Sequence, residues 1–543
     1  MKSIRRLSCL VLLLSAPMPA AAQTSPPRNQ PPQVVARTAR NNVIQAPQGF
    51  AEHVVDGKLT LSLDDAIRLA LENSTDIHLD QEQIDTAKDA LQRALSPFDP
   101  TAQSAFSALR AVSPQFTQLG GAPTLSALTQ NTLVGVTQTL ETGTNYQVLF
   151  DVNRDSSNSS FNFINPSFSS NFAITLTQPL LKGGGLFVNR APIIIARRNL
   201  DQSRAGFEAE VNDLIQTIID DYWFVIQTRE NINVQQQSLD EAQKSYDRDK
   251  HSLELGALPP LDIYRSESQV ASRRVSLIQA EYALKQAEDQ LRRDLGADID
   301  PNIRALDLDL TEKAEPSGEL MTIDIPSAID KALTYRPEVE SQRQQLLNDD
   351  ANIRLAHNAL EPNLSLSATY QGNGVGGNQF NNNVLVSRGG FGDALSQTFG
   401  FGFPAYGATV TLSYPFGNHQ ARANMGDALA TKRHDLYFDR QLHEAITLGV
   451  TNAVHQLEES KLSMEAAKVA LDLAQKTLQA EQHKYDLGSG TVFLVLEAQT
   501  ELTQAAQNLL QAQVGYHLAA AAVDHATGGL LARFQVQITN LAH

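Results

Sequence analysis

Two acidic side chains lie just inside helices that restart after a break, and they are the residues of this sequence best placed to act on a passing ion. Asp262 follows the break at Gly256, and Glu497 follows the break at Gly488. Arg265 aligns with Glu497 when the two breaks are superimposed. A carboxylate at such a place either neutralises the positive end of a helix dipole or, where several copies surround an axis, attracts cations. Both interpretations stay open from the residues alone.

The two breaks consist of residues that end a helix and turn the chain. Gly256, Gly488 and Gly490 can adopt the positive φ that terminates a helix. Pro259 and Pro260 interrupt the first helix and preset φ for the start of the next one. These five residues are predicted to be the hinges of two helical hairpins.

Signals for catalysis or metal binding are poor. The sequence has no His-Glu-x-x-His motif, no phosphate-binding glycine loop and no nucleophile elbow. His434 and His443, nine residues apart, fall on opposite faces of a helix with 3.6 residues per turn. We therefore expect no enzymatic activity, no metal and no cofactor.

The N-terminus indicates export. Three basic residues precede an apolar run at residues 10–14, and three alanines at 20–22 supply a small-residue cleavage site, so residues 1–22 are predicted to be a signal peptide. Cys9, the only cysteine, precedes the apolar run, which disfavours a lipoprotein and leaves the mature chain without a disulfide. Residues 23–58, rich in Pro, Gln and Asn, are predicted to be a disordered linker.

The chain is acidic, with a formal charge of −17 that becomes about −20 once the three basic residues of the leader are removed. Such a charge argues against a nucleic-acid partner. No apolar run of about eighteen residues exists outside the leader, so no membrane-spanning helix is expected. If the chain crosses a membrane, it must do so as a closed β-barrel.

An internal repeat governs the domain organisation. Leu255-Gly256 and Leu295-Gly296 recur as Leu487-Gly488 and Thr527-Gly528 at one common offset. We predict a first repeat at 59–300 with its tip near 256–262, a connector at 301–324, a second repeat at 325–530 with its tip near 487–494, and a tail at 531–543.

Each repeat is predicted to run helix, strands, long helix, break and shorter helix. In the first repeat, the opening helix starts near Leu63 and ends near Ser96. The alternation of polar and apolar residues predicts strands at 101–112, 132–140, 145–153, 169–181, 364–370 and 408–414, with a long loop at 372–404. Apolar residues at helical spacing predict long helices at 192–255 and 422–487, with shorter partners at 261–295 and 492–527.

The predicted strands are polar on one face and modestly apolar on the other, which favours a membrane barrel and leaves an ordinary soluble sheet as the alternative. Four to six strands per chain cannot close such a barrel, whose minimum is about eight. Several chains must then share one barrel. Whether the candidate hairpin at 132–153 extends that barrel stays open.

Two stretches carry a resemblance to the TolC-type outer-membrane efflux protein family. Residues 176–181, Leu-Thr-Gln-Pro-Leu-Leu, are similar to the family's strand exit, and residues 485–498 resemble its helix-turn-helix tip. The resemblance implies a homotrimer with a twelve-stranded β-barrel in the outer membrane, an α-helical coiled-coil barrel through the periplasm and a closable entrance at the tips. It places the family's second entrance acid at Glu497 and its first at Leu494, where the acid is missing.

The predicted fold class is therefore α+β, with two repeats that form the barrels only as a trimer. The predicted function is the passive exit duct of a tripartite efflux pump for small molecules. Its expected partners are a periplasmic adaptor, an inner-membrane pump and outer-membrane lipid. Two alternatives remain: the outer-membrane component of type I protein secretion, and a soluble periplasmic coiled-coil scaffold or adaptor.

Overall fold

The computed structural model describes residues 47–116, 121–256, 259–317, 320–382 and 384–536, without the side chain of Pro260. The predicted signal peptide at 1–22 lies outside these residues. So do residues 23–46 of the predicted linker and 537–543 of the predicted tail.

The described chain passes twice through two helices, a set of strands, a long helix and a shorter helix. The first part contains β1 (Val54–Val55), β2 (Lys58–Leu61), α1 (Leu63–Asn73), α2 (Thr75–Leu95), β3 (Thr101–Pro114), β4 (Thr124–Thr139), β5 (Asn145–Ser157), β6 (Ile164–Pro179), α3 (Leu186–Glu254), α4 (Pro260–Asp294), α5 (Pro301–Arg304) and β7 (Asp307–Leu310). The second part contains α6 (Ile325–Tyr335), α7 (Pro337–Leu360), β8 (Asn363–Asn381), β9 (Val384–Ser387), α8 (Phe391–Phe399), β10 (Phe403–Ser413), α9 (His419–Asp486), α10 (Val492–Ala526) and α11 (Leu530–Arg533). Within the described residues, no helix has the length and hydropathy that a membrane span requires.

The opening helix is two helices rather than the single one predicted. α1 begins with a capping box, in which Ser62 and Asp65 each accept a hydrogen bond from the other's backbone N–H. It ends at Ser74, whose extended backbone (ψ 128°) separates it from α2. Apolar spacing continues through Ser74, with Ile77 and Ile84 buried beyond it, so the hydrophobic pattern alone did not reveal the break.

A small sheet includes parts of the chain that we predicted to be linker and connector. β2 pairs with β1 and, in parallel, with β7. Phe50, inside the predicted linker, is 1% exposed. Residues 47–58 and the connector strand β7 therefore belong to the folded body, because they cover the core under α1.

Among the described elements, the long helix α3 contributes the most buried apolar residues. At 69 residues, α3 extends about 100 Å. Apolar residues spaced three or four apart predicted this helix, and five of them are buried: Phe207, Val211, Ile218, Tyr222 and Val225. On α9, Ile446, Val450 and Leu457 are buried, whereas Leu429 and Leu436 are 43% and 49% exposed, so the second stripe is incomplete in a single chain.

The larger sheet is antiparallel, in the order β10-β8-β6-β5-β4-β3, and β9 extends the pairing along β8. All six predicted strands exist, and each is longer than predicted. The candidate hairpin at 132–153 is confirmed, because the Leu140 N–H bonds to the Thr144 carbonyl across its turn and Gly143 in that turn has φ 86°. The candidate hairpin at 132–153 is thus part of the same sheet.

The prediction of a long loop at 372–404 is wrong. β8 continues to Asn381. The helix α8 then packs on the face of the sheet, where Phe399 contacts Phe150 of β5 and Phe172 of β6. Glycines that suggested a loop instead make room for this helix. A Cβ at Gly374 would lie 2.0 Å from the Ala394 carbonyl oxygen, and one at Gly376 would lie 2.1 Å from that of Gly390.

We expect Gly374→Ala to displace α8 and to lower the free energy of unfolding by roughly 1–3 kcal/mol, because the added methyl group meets backbone that cannot move alone. Thermal unfolding followed by circular dichroism measures this change. Gly407→Ala is the matched control, since no atom lies within 4 Å of its added Cβ. Equal losses in the two variants would contradict the assigned packing.

Candidate functional site

The two helical hairpins end in tips that use the predicted glycines. Gly256 ends α3 at φ 74° and Gly488 ends α9 at φ 76°, a conformation that glycine adopts without strain. Gly490 is required for a different reason. A Cβ at Gly490 would lie 2.8 Å from the Tyr485 backbone nitrogen, because the N–H of Gly490 bonds back to the Lys484 carbonyl at 3.0 Å.

The restarting helices begin differently at the two tips. Pro259 is the extended residue before α4 and Pro260 is the first residue of that helix. At the second tip, Thr491 caps α10 by accepting a hydrogen bond from the Leu494 N–H. Asp262 lies in the first turn of α4, where a carboxylate stabilises the helix start.

The structure does not bring the predicted charged residues together within one chain. Glu497 and Arg265 are exposed, Asp262 is half-buried and Leu494 is 40% exposed. Among the described residues, no salt bridge joins Arg265 to Glu497 or to Asp262. The two tips are linked instead by Arg273 of α4, which donates to the Thr500 hydroxyl of α10 at 2.7 Å.

A buried carboxylate that the sequence analysis missed joins three helices at the tips. Asp249 of α3 is 1% exposed and accepts hydrogen bonds from the Tyr485 hydroxyl of α9 at 2.9 Å and from the Ser266 hydroxyl of α4. We call Asp249, Ser266 and Tyr485 the tip clasp. Burial and the neighbouring carboxylate raise the pKa of Tyr485 to about 12, so its hydroxyl stays a donor at neutral pH.

Arg248 of α3 contacts the tip clasp through the Tyr485 ring. Its guanidinium lies 4.8 Å from the centroid of the Tyr485 ring, and one of its nitrogens lies 3.8 Å from an Asp486 carboxylate oxygen. The ring is thereby held between a cation on its face and an acceptor at its hydroxyl. The ring face of Tyr485 and its hydroxyl are therefore each held by a charged neighbour.

Above the tip clasp, α3 and α10 meet through polar residues. The Thr503 hydroxyl bonds to that of Ser238 at 2.9 Å, and the Gln499 amide donates to the Ser245 hydroxyl at 2.8 Å. All four of these side chains are buried. We call them the polar seam. It joins the long helix of the first repeat to the short helix of the second by hydrogen bonds near the tip. Farther along α10, Leu510 and Val514 belong to the same apolar cluster as α3.

The sequence did contain a signal for this surface. Ser238, Ala242, Ser245 and Asp249 follow one another by four, three and four residues, which is the spacing of one helix face. The face is not part of an apolar stripe, because its residues are small or polar. Such a face, at the end of a long amphipathic helix, indicates a helix contact built from hydrogen bonds.

Comparisons with known proteins agree with this architecture. The family described as outer membrane efflux protein matches residues 147–297 and 328–529, which is more than half of the chain. Nodulation protein T of Rhizobium leguminosarum bv. trifolii is 20% identical over 59% of this chain and 63% of its own length. The pyoverdine export outer membrane protein OpmQ of Pseudomonas putida is 24% identical over 62% of this chain and 66% of its own.

Among solved structures, the outer membrane channel CmeC of Campylobacter jejuni superposes with a TM-score of 0.60 at 17% identity, covering 90% of this chain and 93% of that one. This likeness confirms the fold class. The curated relatives are matched over slightly less than two thirds of their lengths. On the family match, the chain belongs to the outer membrane efflux protein family.

Proposed function

We propose that this chain, as a homotrimer, forms the passive exit duct of a tripartite efflux pump for small molecules. The duct extends from the periplasm through the outer membrane, and the helix tips form its closable entrance. The observation that carries the proposal is the tip clasp with its polar seam, in a chain of the outer membrane efflux protein family. Hydrogen-bonded contacts of this kind can separate and re-form without exposing a large apolar surface.

The division of the chain follows from this proposal. Residues 1–22 direct export, the repeats at 59–300 and 325–530 supply the wall of the duct, and the connector joins them. The energy for transport comes from an inner-membrane pump, and a periplasmic adaptor docks on the tips at Gly256 and Gly488. OpmQ is named for pyoverdine export, which supports small molecules as the transported class.

Purified protein in planar lipid bilayers tests the proposal. We expect discrete pores from a trimer that is recovered from the outer membrane only with detergent. Recovery of the protein in the soluble periplasm, or the absence of pores from a detergent-extracted trimer, would contradict the assigned duct.

Glu497 is expected to set part of the ion selectivity of the pore. Three copies of this exposed carboxylate around a common axis would attract cations and repel anions. Glu497→Gln should therefore reduce the cation-to-anion permeability ratio severalfold, measured as a shift of the reversal potential in a salt gradient.

Glu465→Gln is the matched control, because it removes the same charge from an exposed position of α9 about 30 Å from the tip. Its reversal potential should equal that of the unchanged protein. If Glu497→Gln behaves in the same way, the Glu497 carboxylate neutralises the start of α10 and takes no part in the entrance.

A further inference from the structure

The larger sheet ends in two long strands that have a partner on one side only. β3 spans 14 residues and pairs with β4, and β10 spans 11 residues and pairs with β8. Every residue of β3 is exposed, and so are all but one of β10. Free edges of this length are templates for pairing with another strand.

The edge strands carry the same two faces as the strands between them. Neighbours paired in register form continuous rows across all six strands, with consecutive rows on opposite faces of the sheet. One row is apolar or aromatic, and the next row is almost entirely polar. The apolar row is Ala102, Val136, Val148, Ile174, Tyr370 and Tyr406. The polar row is Thr101, Thr137, Gln147, Thr175, Thr369 and Gly407.

β3 and β4 precede the part of the first repeat that matches the family, which begins at residue 147 in β5. Both strands are nevertheless paired into the same sheet as the strands that match the family. β4 pairs with β5 through 13 residues, and on the polar face Asn131 donates to Asp151 at 2.7 Å. The turn after β4 is anchored to α3 by the hydrogen bond between Arg190 and Glu141 at 2.8 Å.

All six strands are long enough to cross a membrane, since a tilted transmembrane strand needs about 9–11 residues. Each pairing in the sheet is antiparallel, so β3 and β10 run in opposite directions. The free edge of β3 can therefore pair antiparallel with β10 of a second copy placed beside it by rotation. Six strands alone are too few to close, because the smallest membrane barrels have about eight.

We infer that β3 of each copy pairs with β10 of the next, so that three copies close an eighteen-stranded barrel. This inference rests on the proposed trimeric duct. It differs from the twelve strands that the family resemblance implied, because the larger sheet of each chain has six strands in its row rather than four. The partner of each sheet edge is a second copy of this chain.

The added strands widen the membrane part of the duct. At ~4.8 Å between strands and ~40° tilt, eighteen strands place opposite backbones roughly 36 Å apart, against roughly 24 Å for twelve. Barrels of about 16–18 strands enclose an open aqueous channel. Bulky solutes can then pass the barrel freely, and the narrowest point of the duct lies at the helix tips.

Disulfide trapping in the outer membrane distinguishes the two arrangements. In a Cys9→Ser background, Thr409→Cys on the polar face of β10 is combined with cysteine at every second residue from 101 to 113 on β3. We expect at least one β3 pair to give disulfide-linked dimers and trimers on denaturing gels, because paired strands bring Cα atoms within about 5.5 Å.

The same scan on β5, at every second residue from 145 to 157, should give no links between chains, because three strand spacings (about 14 Å) separate β5 from the neighbouring β10. Thr175→Cys with Thr369→Cys is the control. These residues pair within one chain, so they should link without forming oligomers.

Links from β5 to β10 without links from β3 would mean that β3 and β4 lie outside a twelve-stranded wall. That result overturns the inference and leaves the proposed duct intact. The absence of both sets of links in a conducting trimer would also overturn the inference. A monomeric protein without pores would remove the proposed duct and the inference together.

Discussion

Asp249→Ala protein is expected to conduct more often and for longer than the unchanged protein in planar bilayers. The substitution leaves the hydroxyls of Tyr485 and Ser266 without their acceptor at a buried site. An unsatisfied buried polar group costs about 1–3 kcal/mol, which shifts the balance between closed and open tips by on the order of tenfold. The measured quantity is the open probability of single channels at fixed voltage.

Tyr485→Phe separates the hydrogen bond from the packing of the ring. It keeps the aromatic face under Arg248 and removes only one of the two donors to Asp249, so we expect a smaller rise in open probability. Tyr246→Phe is the control. Tyr246 lies three residues before Asp249 on α3, and among the described residues its hydroxyl makes no hydrogen bond. Unchanged gating in Asp249→Ala would show that the tip clasp does not hold the entrance closed.

Asp221→Asn is expected to stabilise the protein above pH 7 and to leave its stability near pH 4 almost unchanged. Burial, and then the neighbouring carboxylates of Asp294 and Asp220, raise the pKa of Asp221 to about 7. The folded chain therefore keeps a proton that the unfolded chain loses near pH 4. Stability is lost as pH rises between these two values, and the full cost remains above pH 7.

After allowance for solvent screening, we expect Asp221→Asn to raise the free energy of unfolding at pH 8 by about 1–2 kcal/mol. Thermal unfolding of the purified protein at pH 5 and pH 8 measures it. Asp240→Asn removes an exposed charge from the same helix. The difference in its free energy of unfolding between pH 5 and pH 8 should equal that of the unchanged protein. A second source of pH dependence persists in both variants, since burial and Asp435 raise the pKa of Asp349 to about 6. Equal pH dependence in Asp221→Asn and the unchanged protein would exclude Asp221 as a source.

The repeat, the long helices and their tips could be predicted from the sequence because their causes are local. Gly256 and Gly488 end their helices through their own conformational freedom, and Pro260 starts a helix through its fixed φ. The apolar stripe of α3 specifies which face is buried without reference to the partner that covers it. For the same reason, part of each of the six long strands was predicted, although β4 and β8 extend well beyond the predicted bounds.

Contacts between distant residues were decided only by the tertiary structure. Asp249 and Tyr485 are 236 positions apart, and nothing in the sequence near either residue indicates the other. Gly374 and Gly376 are typical of a loop until α8 is placed against them. Which strands lie at the two edges of the larger sheet depends on strand pairing, which the sequence of a single strand does not reveal. Local conformation is determined by neighbouring residues, whereas packing, pairing and closure depend on segments that only the folded chain brings together.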